Sequence, residues 1–210
     1  MALSALLADD PTAACLTIDL LALQSNYRLI AKCVAPAKAS ANIKADAYGL
    51  GIDVVVPALV KAGCSHFFVA TISEAVSARQ SAPDATIYVL NGFSFDAAKT
   101  YETHHLSAVL GSLEDIAYFQ KALNDGRNLA APALHIDTGM NRLGLTIDEA
   151  RAYAEHRKSE TSPLPFSLLM THFIESEIQN SPITEKQITL FDEMRALFPN
   201  VPASLSNSSG

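Results

Sequence analysis

Short apolar runs alternating with helical stretches constrain this chain more than any other feature. Phe67–Thr71, Thr86–Asn91, Leu106–Leu110, Ala131–Ile136 and Phe166–Met170 all have strand length and strand composition. Ala39–Ala45 precedes them as a shorter, partly apolar run, and Pro202–Ser206 follows. Helical segments separate them at Val54–Ala62, Glu74–Gln80, Phe95–Tyr101, Leu113–Leu123, Ile147–His156 and Glu185–Leu197. Parallel strands need such crossovers, so the pattern predicts a parallel α/β sheet. It gives seven strand beginnings in 210 residues. An eight-stranded barrel typically takes about 250 residues, so this reads as a barrel one strand short. A doubly wound sheet competes, and periodicity does not separate the two.

Local signals fit this alternation. Thr71-x-x-Glu74, Thr146-x-x-Glu149 and Thr184-x-x-Gln187 match the capping box, with Ser112-x-x-Asp115 a weaker version. Each is expected to satisfy orphan backbone donors at a helix start. Cys15–Pro36 differs, offering a brief strand at Leu16–Ile18 and then a helix. Residues 1–38 are thus expected to lead into an α/β unit spanning 39–210.

Composition narrows the function classes. About half the residues are apolar (49%), enough for a sizeable core. Fifteen Lys and Arg against 22 Asp and Glu leave a net charge of −7, which argues against nucleic acid as a partner. No apolar run reaches the roughly 18–20 residues of a membrane span. The opening MALSALLADDPTAA has no basic region before its apolar stretch, so no signal peptide is expected. Cys15, Cys33 and Cys64 fit no metal spacing and read as free thiols in a reducing cytoplasm. His104 and His105 are adjacent, would face opposite ways on a strand, and make a poor metal pair. No metal site is expected. The chain has no P-loop and no nucleophile elbow, and Gly49-x-Gly51 lacks the third glycine of a dinucleotide loop.

Four stretches could carry chemistry. In Ile43–Gly51, Lys44 ends a strand candidate. It is either a surface residue or an amine partly withdrawn from water and nucleophilic toward carbonyls. In His135–Gly144, Arg142 lies past a strand's carboxyl end, where barrel active sites are built, and can donate to an oxyanion or phenolate. An exposed loop arginine is the alternative. His172, just past Phe166–Met170, is an acid–base group, a ring-stacking partner or a satisfied buried histidine. The hydroxyl-rich Ser204–Gly210 is either a phosphate-holding loop or a frayed terminus.

The segment Lys44-Ala-Asp-Ala-Tyr-Gly-Leu-Gly51 resembles the pyridoxal-phosphate signature of alanine racemases. Asp137-Thr-Gly-Met-Asn-Arg-Leu-Gly144 resembles a second motif of that family, and Thr171-His-Phe173 and Asn207-Ser208 follow in the family's order. The resemblance selects a TIM-type (β/α)8 barrel, here incomplete at its C-terminal end, over the doubly wound sheet. It implies pyridoxal 5'-phosphate as cofactor and alanine as substrate. Lys44 matches the lysine that is joined to the cofactor and serves as one of two bases on opposite faces of the substrate. Tyr48 matches a tyrosine near the cofactor phosphate, Arg142 the arginine bonded to the phenolic oxygen, and His172 a histidine packed on the pyridine ring. Asn207 and Ser208 match the phosphate loop, and Met140 and Arg142 are expected to meet substrate.

Two departures carry expectations of their own. Many members have a carbamylated lysine where this chain has His135, so an anion, a water or another side chain is expected to fill that space. The family continues beyond the position of Gly210 with an eighth strand and a β-rich domain that supplies the second base across a homodimer interface. The chain is therefore expected to be an N-terminal fragment with little racemase activity of its own. The resemblance also implies D-alanine supply for cell walls in the cytoplasm. A non-catalytic pyridoxal-phosphate-binding protein, a racemase of broader specificity, and an interaction domain with a dead site are the alternatives.

Overall fold

A computed structural model describes residues 16–210. Seven strands form one sheet in sequence order: β1 (Ala41–Asn42), β2 (His66–Val69), β3 (Thr86–Val89), β4 (Ser107–Leu110), β5 (Ala133–His135), β6 (Leu168–Met170) and β7 (Ala203–Ser204). Every neighbouring pair is parallel. A doubly wound sheet reverses its strand order at a switch point, and this one does not. The sheet curls into an incomplete barrel. Helices connect the strands: α1 (Leu20–Val34) before β1, α2 (Lys44–Tyr48) and α3 (Ile52–Lys61) after it, and α4 (Ile72–Ser81) after β2. A 3₁₀ turn (Phe95–Ala97) with α5 (Ala98–Thr103), then α6 (Leu113–Asn124), α7 (Ile147–Arg157) and α8 (Pro182–Leu197) follow β3 to β6 in turn.

The strands are apolar on both faces because each face is covered. Phe67, Val69, Ile87, Val89, Leu110, Leu134 and Leu169 point outward and pack with Val55, Ala75, Tyr101, Phe119, Ala154 and Phe191 of the helices. The alternate residues Phe68, Tyr88, Val109, Ala133 and Met170 form a separate inner cluster. In-register Phe68 and Tyr88 stack there, with ring centroids 4.8 Å apart. A layer contributed by five successive strands is the filling of a barrel interior.

Two of the four predicted capping boxes form in full, one in half and one not at all. Thr71 with Glu74 opens α4 and Thr146 with Glu149 opens α7, each as a complete capping box. Ser112 accepts the Asp115 N–H at 3.0 Å, but the Asp115 carboxylate turns to Gly111 N–H at 2.9 Å and Phe93 N–H at 3.3 Å. The box expected at Thr184 and Gln187 does not form. The helix starts earlier, with Ser181 as N-cap and Pro182 in its first turn, and Gln187 lies buried inside it. Pro182 suits that first turn because it has no N–H to leave unpaired.

Three other expectations are corrected. Leu16–Ile18 forms no strand; among the described residues nothing pairs with it, and Leu16 is 75% exposed. Asp19 then caps α1 through Leu21 and Ala22 N–H. The run Ala39–Ala45 is strand only at Ala41–Asn42, and Ala45 belongs to a left-handed turn. His104 and His105 lie after α5, where their carbonyls accept from the Arg79 guanidinium, rather than on a strand. Cys33 is exposed and Cys64 buried, both as free thiols; Cys15 and the opening segment lie outside the described residues. Among the described residues no helix is long and apolar enough to cross a membrane, and no three potential metal ligands come together.

Candidate active site

Lys44, Arg142, His172 and the Asn207–Ser208 loop all follow carboxyl ends of strands, β1, β5, β6 and β7 respectively. That end of a barrel is where chemistry is placed.

Lys44 begins a turn of unusual hand. Ala45, Asp46, Ala47 and Tyr48 have φ between 52° and 56°, four consecutive L-residues in the left-handed region. Such a conformation costs roughly 1–2 kcal/mol per residue, so the surroundings must hold it. Ala47 N–H bonds the Ile43 carbonyl at 2.9 Å and Gly49 N–H bonds that of Ala45 at 2.9 Å. The Ala47 side chain is buried in the main core. The Asp46 carboxylate accepts the Ile52 N–H at 2.7 Å, capping α3, whose own N-cap Gly51 offers no side chain. The Ala45 N–H donates to Glu74 Oε1 at 2.7 Å. The Lys44 side chain is half-buried, with Nζ 6.0 Å from the centroid of the exposed Tyr48 ring.

Arg142 sits in a loop closed at its base. Asp137 N–H bonds the Leu145 carbonyl at 2.8 Å and Leu145 N–H bonds that of His135 at 2.9 Å. Gly144 makes this closure: its φ is +109°, and a Cβ there would lie 2.7 Å from Asp137 N. Within the loop, Gly139 N–H bonds Asp137 Oδ1 at 2.9 Å and the Asn141 amide bonds the Gly139 carbonyl at 3.1 Å. Arg142 itself is exposed and Met140 half-buried.

His135 and His172 complete this side. His135 is buried at the end of β5, and its pKa is pushed down to about 4 chiefly by burial, with Asp137 opposing and His172 and Arg142 adding to the shift. His172 is also held below its ordinary value, first by burial and then by the charges of Arg142 and Lys44. The two cations follow β5 and β1, and His172 follows β6.

A buried polar network fixes the β5 and β6 loops to each other. The hydroxyls of Thr138 and Thr171 lie 2.8 Å apart. The Gln187 amide on α8 donates to Thr138 Oγ1 at 3.1 Å and to the His172 carbonyl at 2.9 Å, and accepts the Ile174 N–H at 3.0 Å. Gln187 is 1% exposed. Sequence reasoning missed Thr138, Thr171 and Gln187 in this role. It took Gln187 for a cap, and only its place on an otherwise apolar buried helix face could have marked it.

Past β7, Asn207 Oδ1 accepts from Ser176 Oγ at 2.6 Å, Ser209 N–H at 3.0 Å and Gly210 N–H at 3.2 Å. Asn207 therefore shapes its loop and ties it to the segment after His172. Ser208 is exposed, and among the described residues the N–H groups of Asn207 and Ser208 meet no protein acceptor.

The family model described as alanine racemase, N-terminal domain, matches residues 18–210. The chain belongs to the alanine racemase family. It is 48% identical over 206 residues to alanine racemase of Methylobacterium sp. (strain 4-46), covering 97% of this chain and 55% of that one. Among solved structures, alanine racemase from Bartonella henselae with covalently bound pyridoxal phosphate superposes with a TM-score of 0.85 at 32% identity, over 92% of this chain and 56% of that chain. The biosynthetic alanine racemase from Pseudomonas aeruginosa gives a TM-score of 0.81 at 31% identity, over 91% of this chain and 52% of that chain. The chain spans about half the length of the curated alanine racemases it matches.

Proposed function

We propose that the protein carrying this chain is a pyridoxal-phosphate-dependent racemase that interconverts L- and D-alanine. The placement of Lys44, Arg142 and His172 beyond the carboxyl ends of the strands of a racemase-family barrel carries this reading. The residues fit the cofactor. Lys44 offers a primary amine on a held turn, Arg142 a cation for a phenolate oxygen, and His172 a neutral ring to lie against a pyridine. Asn207 and Ser208 offer loop N–H donors for a phosphate. Tyr48 stands beside Lys44 on the phosphate side in this reading, and Met140 with Arg142 meets the substrate.

Pyridoxal phosphate, when bound, supplies an electron sink for the pair left at the α-carbon as its proton departs. Lys44 Nζ takes or returns that proton on one face of the substrate. Arg142 orients by charge-assisted hydrogen bonding. The depressed basicity of His172 keeps its ring neutral, so it packs without adding a third positive charge. Racemisation needs a second base on the opposite face, and Lys44 is the only base this reading assigns. The 210-residue chain alone is thus expected to turn over little alanine, and the second base to come from elsewhere in a homodimeric parent. Residues 39–210 form the cofactor-binding unit, 1–38 its lead-in, and the cytoplasmic supply of D-alanine for cell walls is the matching role.

Borohydride reduction in the presence of pyridoxal phosphate, followed by peptide mapping, tests the assignment. A single label on Lys44, with interconversion of alanine enantiomers by the full-length protein, is expected. Labels scattered over surface lysines, or no racemisation by that protein, would overturn it.

A further inference from the structure

We propose that Glu74 is a positioning residue for Lys44: its carboxylate ties the left-handed turn carrying the lysine to the start of α4, and so fixes where the amine sits. The inference rests on the assignment of Lys44 as the cofactor-bearing lysine.

A capping-box glutamate needs only one partner, the N–H of the N-cap residue. Glu74 has three. Oε2 accepts the Thr71 N–H at 3.1 Å and the Ala70 N–H at 2.8 Å, which anchors the carboxylate where β2 passes into α4. Oε1 is left to reach across to Ala45, the shortest of the three bonds at 2.7 Å and the one that spans 29 residues of sequence. The peptide it holds joins Lys44 to Ala45, the unit next to the lysine Cα. Ala45 is also the first residue with positive φ, so the bond acts where the chain changes hand. The other carboxylate on the turn, Asp46, ties its far side to α3. Lys44 therefore stands on a strained segment pinned at both ends by charge-assisted bonds. Only the Glu74 bond reaches the neighbouring strand's connection.

Glu74→Gln keeps the shape and replaces one of the two acceptor oxygens with a donor. Its amide NH2 must face at least one of the three N–H groups, donor against donor. Thr71→Ala weakens the same helix cap through the Thr71 hydroxyl, which accepts the Glu74 N–H at 3.4 Å, and leaves the Glu74–Ala45 partners in place. Both variants are made in the full-length protein, freed of cofactor with hydroxylamine. Amide hydrogen exchange over residues 44–51 and the rate of borohydride-trapped labelling of Lys44 by pyridoxal phosphate are measured. Glu74→Gln is expected to speed exchange in that segment by roughly tenfold and to slow labelling by roughly tenfold or more. Thr71→Ala is expected to keep both within about twofold of the unaltered protein. Unchanged exchange in Glu74→Gln, unchanged labelling despite faster exchange, or equal losses in both variants would overturn the proposal. If the unaltered protein takes no label at Lys44, the cofactor assignment falls and the positioning role with it. The exchange response then reports only whether Glu74 holds the turn.

Discussion

Replacing Gln187 with leucine should separate what holds the β5 and β6 loops from what holds Lys44. Leucine roughly matches the volume and removes every polar bond of the buried amide. The Ile174 N–H and the His172 carbonyl each lose the partner that Gln187 supplies, while Thr138 keeps its hydroxyl contact with Thr171. Two stranded backbone groups at about 1–3 kcal/mol each give a loss of roughly 2–6 kcal/mol. The added apolar burial of leucine pulls this toward about 3 kcal/mol. For a domain of this size that is a fall in melting temperature of roughly 6–12 °C. Thermal and urea denaturation of the full-length protein measure it, and a cycle with Thr138→Val should show a coupling of about 0.5–3 kcal/mol. Labelling of Lys44 should survive, because the lysine stands on a different strand, whereas turnover should drop as His172 and the Arg142 loop shift. A melting point within about 2 °C of the unaltered protein would show that water replaces the amide at no cost and would refute the reasoning.

Three further outcomes follow from single residues. Gly144→Ala forces a Cβ against Asp137 N at φ +109°, so it should destabilise by roughly 2–4 kcal/mol in denaturant melts or displace the Arg142 loop. His135 has its folded pKa depressed to about 4, below the value of about 6.5 for an unfolded histidine. The unfolded chain therefore binds the proton first, and stability present above pH 6.5 is lost as pH falls toward 4. The loss should reach about 2 kcal/mol near pH 5 in melts across that range and shrink in His135→Gln. Thr146→Ala removes one half of the α7 capping box and should cost about 0.5–2 kcal/mol by chemical denaturation, with Lys44 labelling unchanged.

Much of this fold was legible because its signals are local. Each strand is a short apolar run and each crossover carries its own cap, so Phe67–Thr71 and Glu74–Gln80 sit within a few residues of β2 and α4. Strand order is not local. Phe68 and Phe67 are equally apolar, yet one faces the barrel interior and the other the helices, so periodicity had nothing to separate barrel from open sheet. The candidate site was marked in the same uneven way. Position alone left Lys44, Arg142 and His172 open between surface and site roles, and only the motifs around them singled them out. What supports them did not show. Ala45, Ala47 and Tyr48 give no sign of a left-handed turn, a conformation usually signalled by Gly or Asn. Glu74 reads as an ordinary capping residue, and its bond to Ala45 exists only once β1 and β2 are paired.

The placement of the site residues bears on how the barrel edges matter. Lys44 follows β1 and the Asn207–Ser208 loop follows β7, the two outer strands of the sheet as described. Arg142 and His172 follow strands that are paired on both sides, and Gln187 and the threonines lock their loops together. The interior strands thus fix the Arg142 and His172 half of the candidate site. The distance from Lys44 to the Asn207–Ser208 loop depends instead on how far the sheet curls. Each outer strand is only two residues long, which limits the unpaired backbone it offers. It also limits how firmly pairing alone can hold Lys44 in place. The turn after β1 meets that need through side chains rather than through the sheet, with Asp46 bound to α3 and the Ala45 N–H bound to Glu74 of α4.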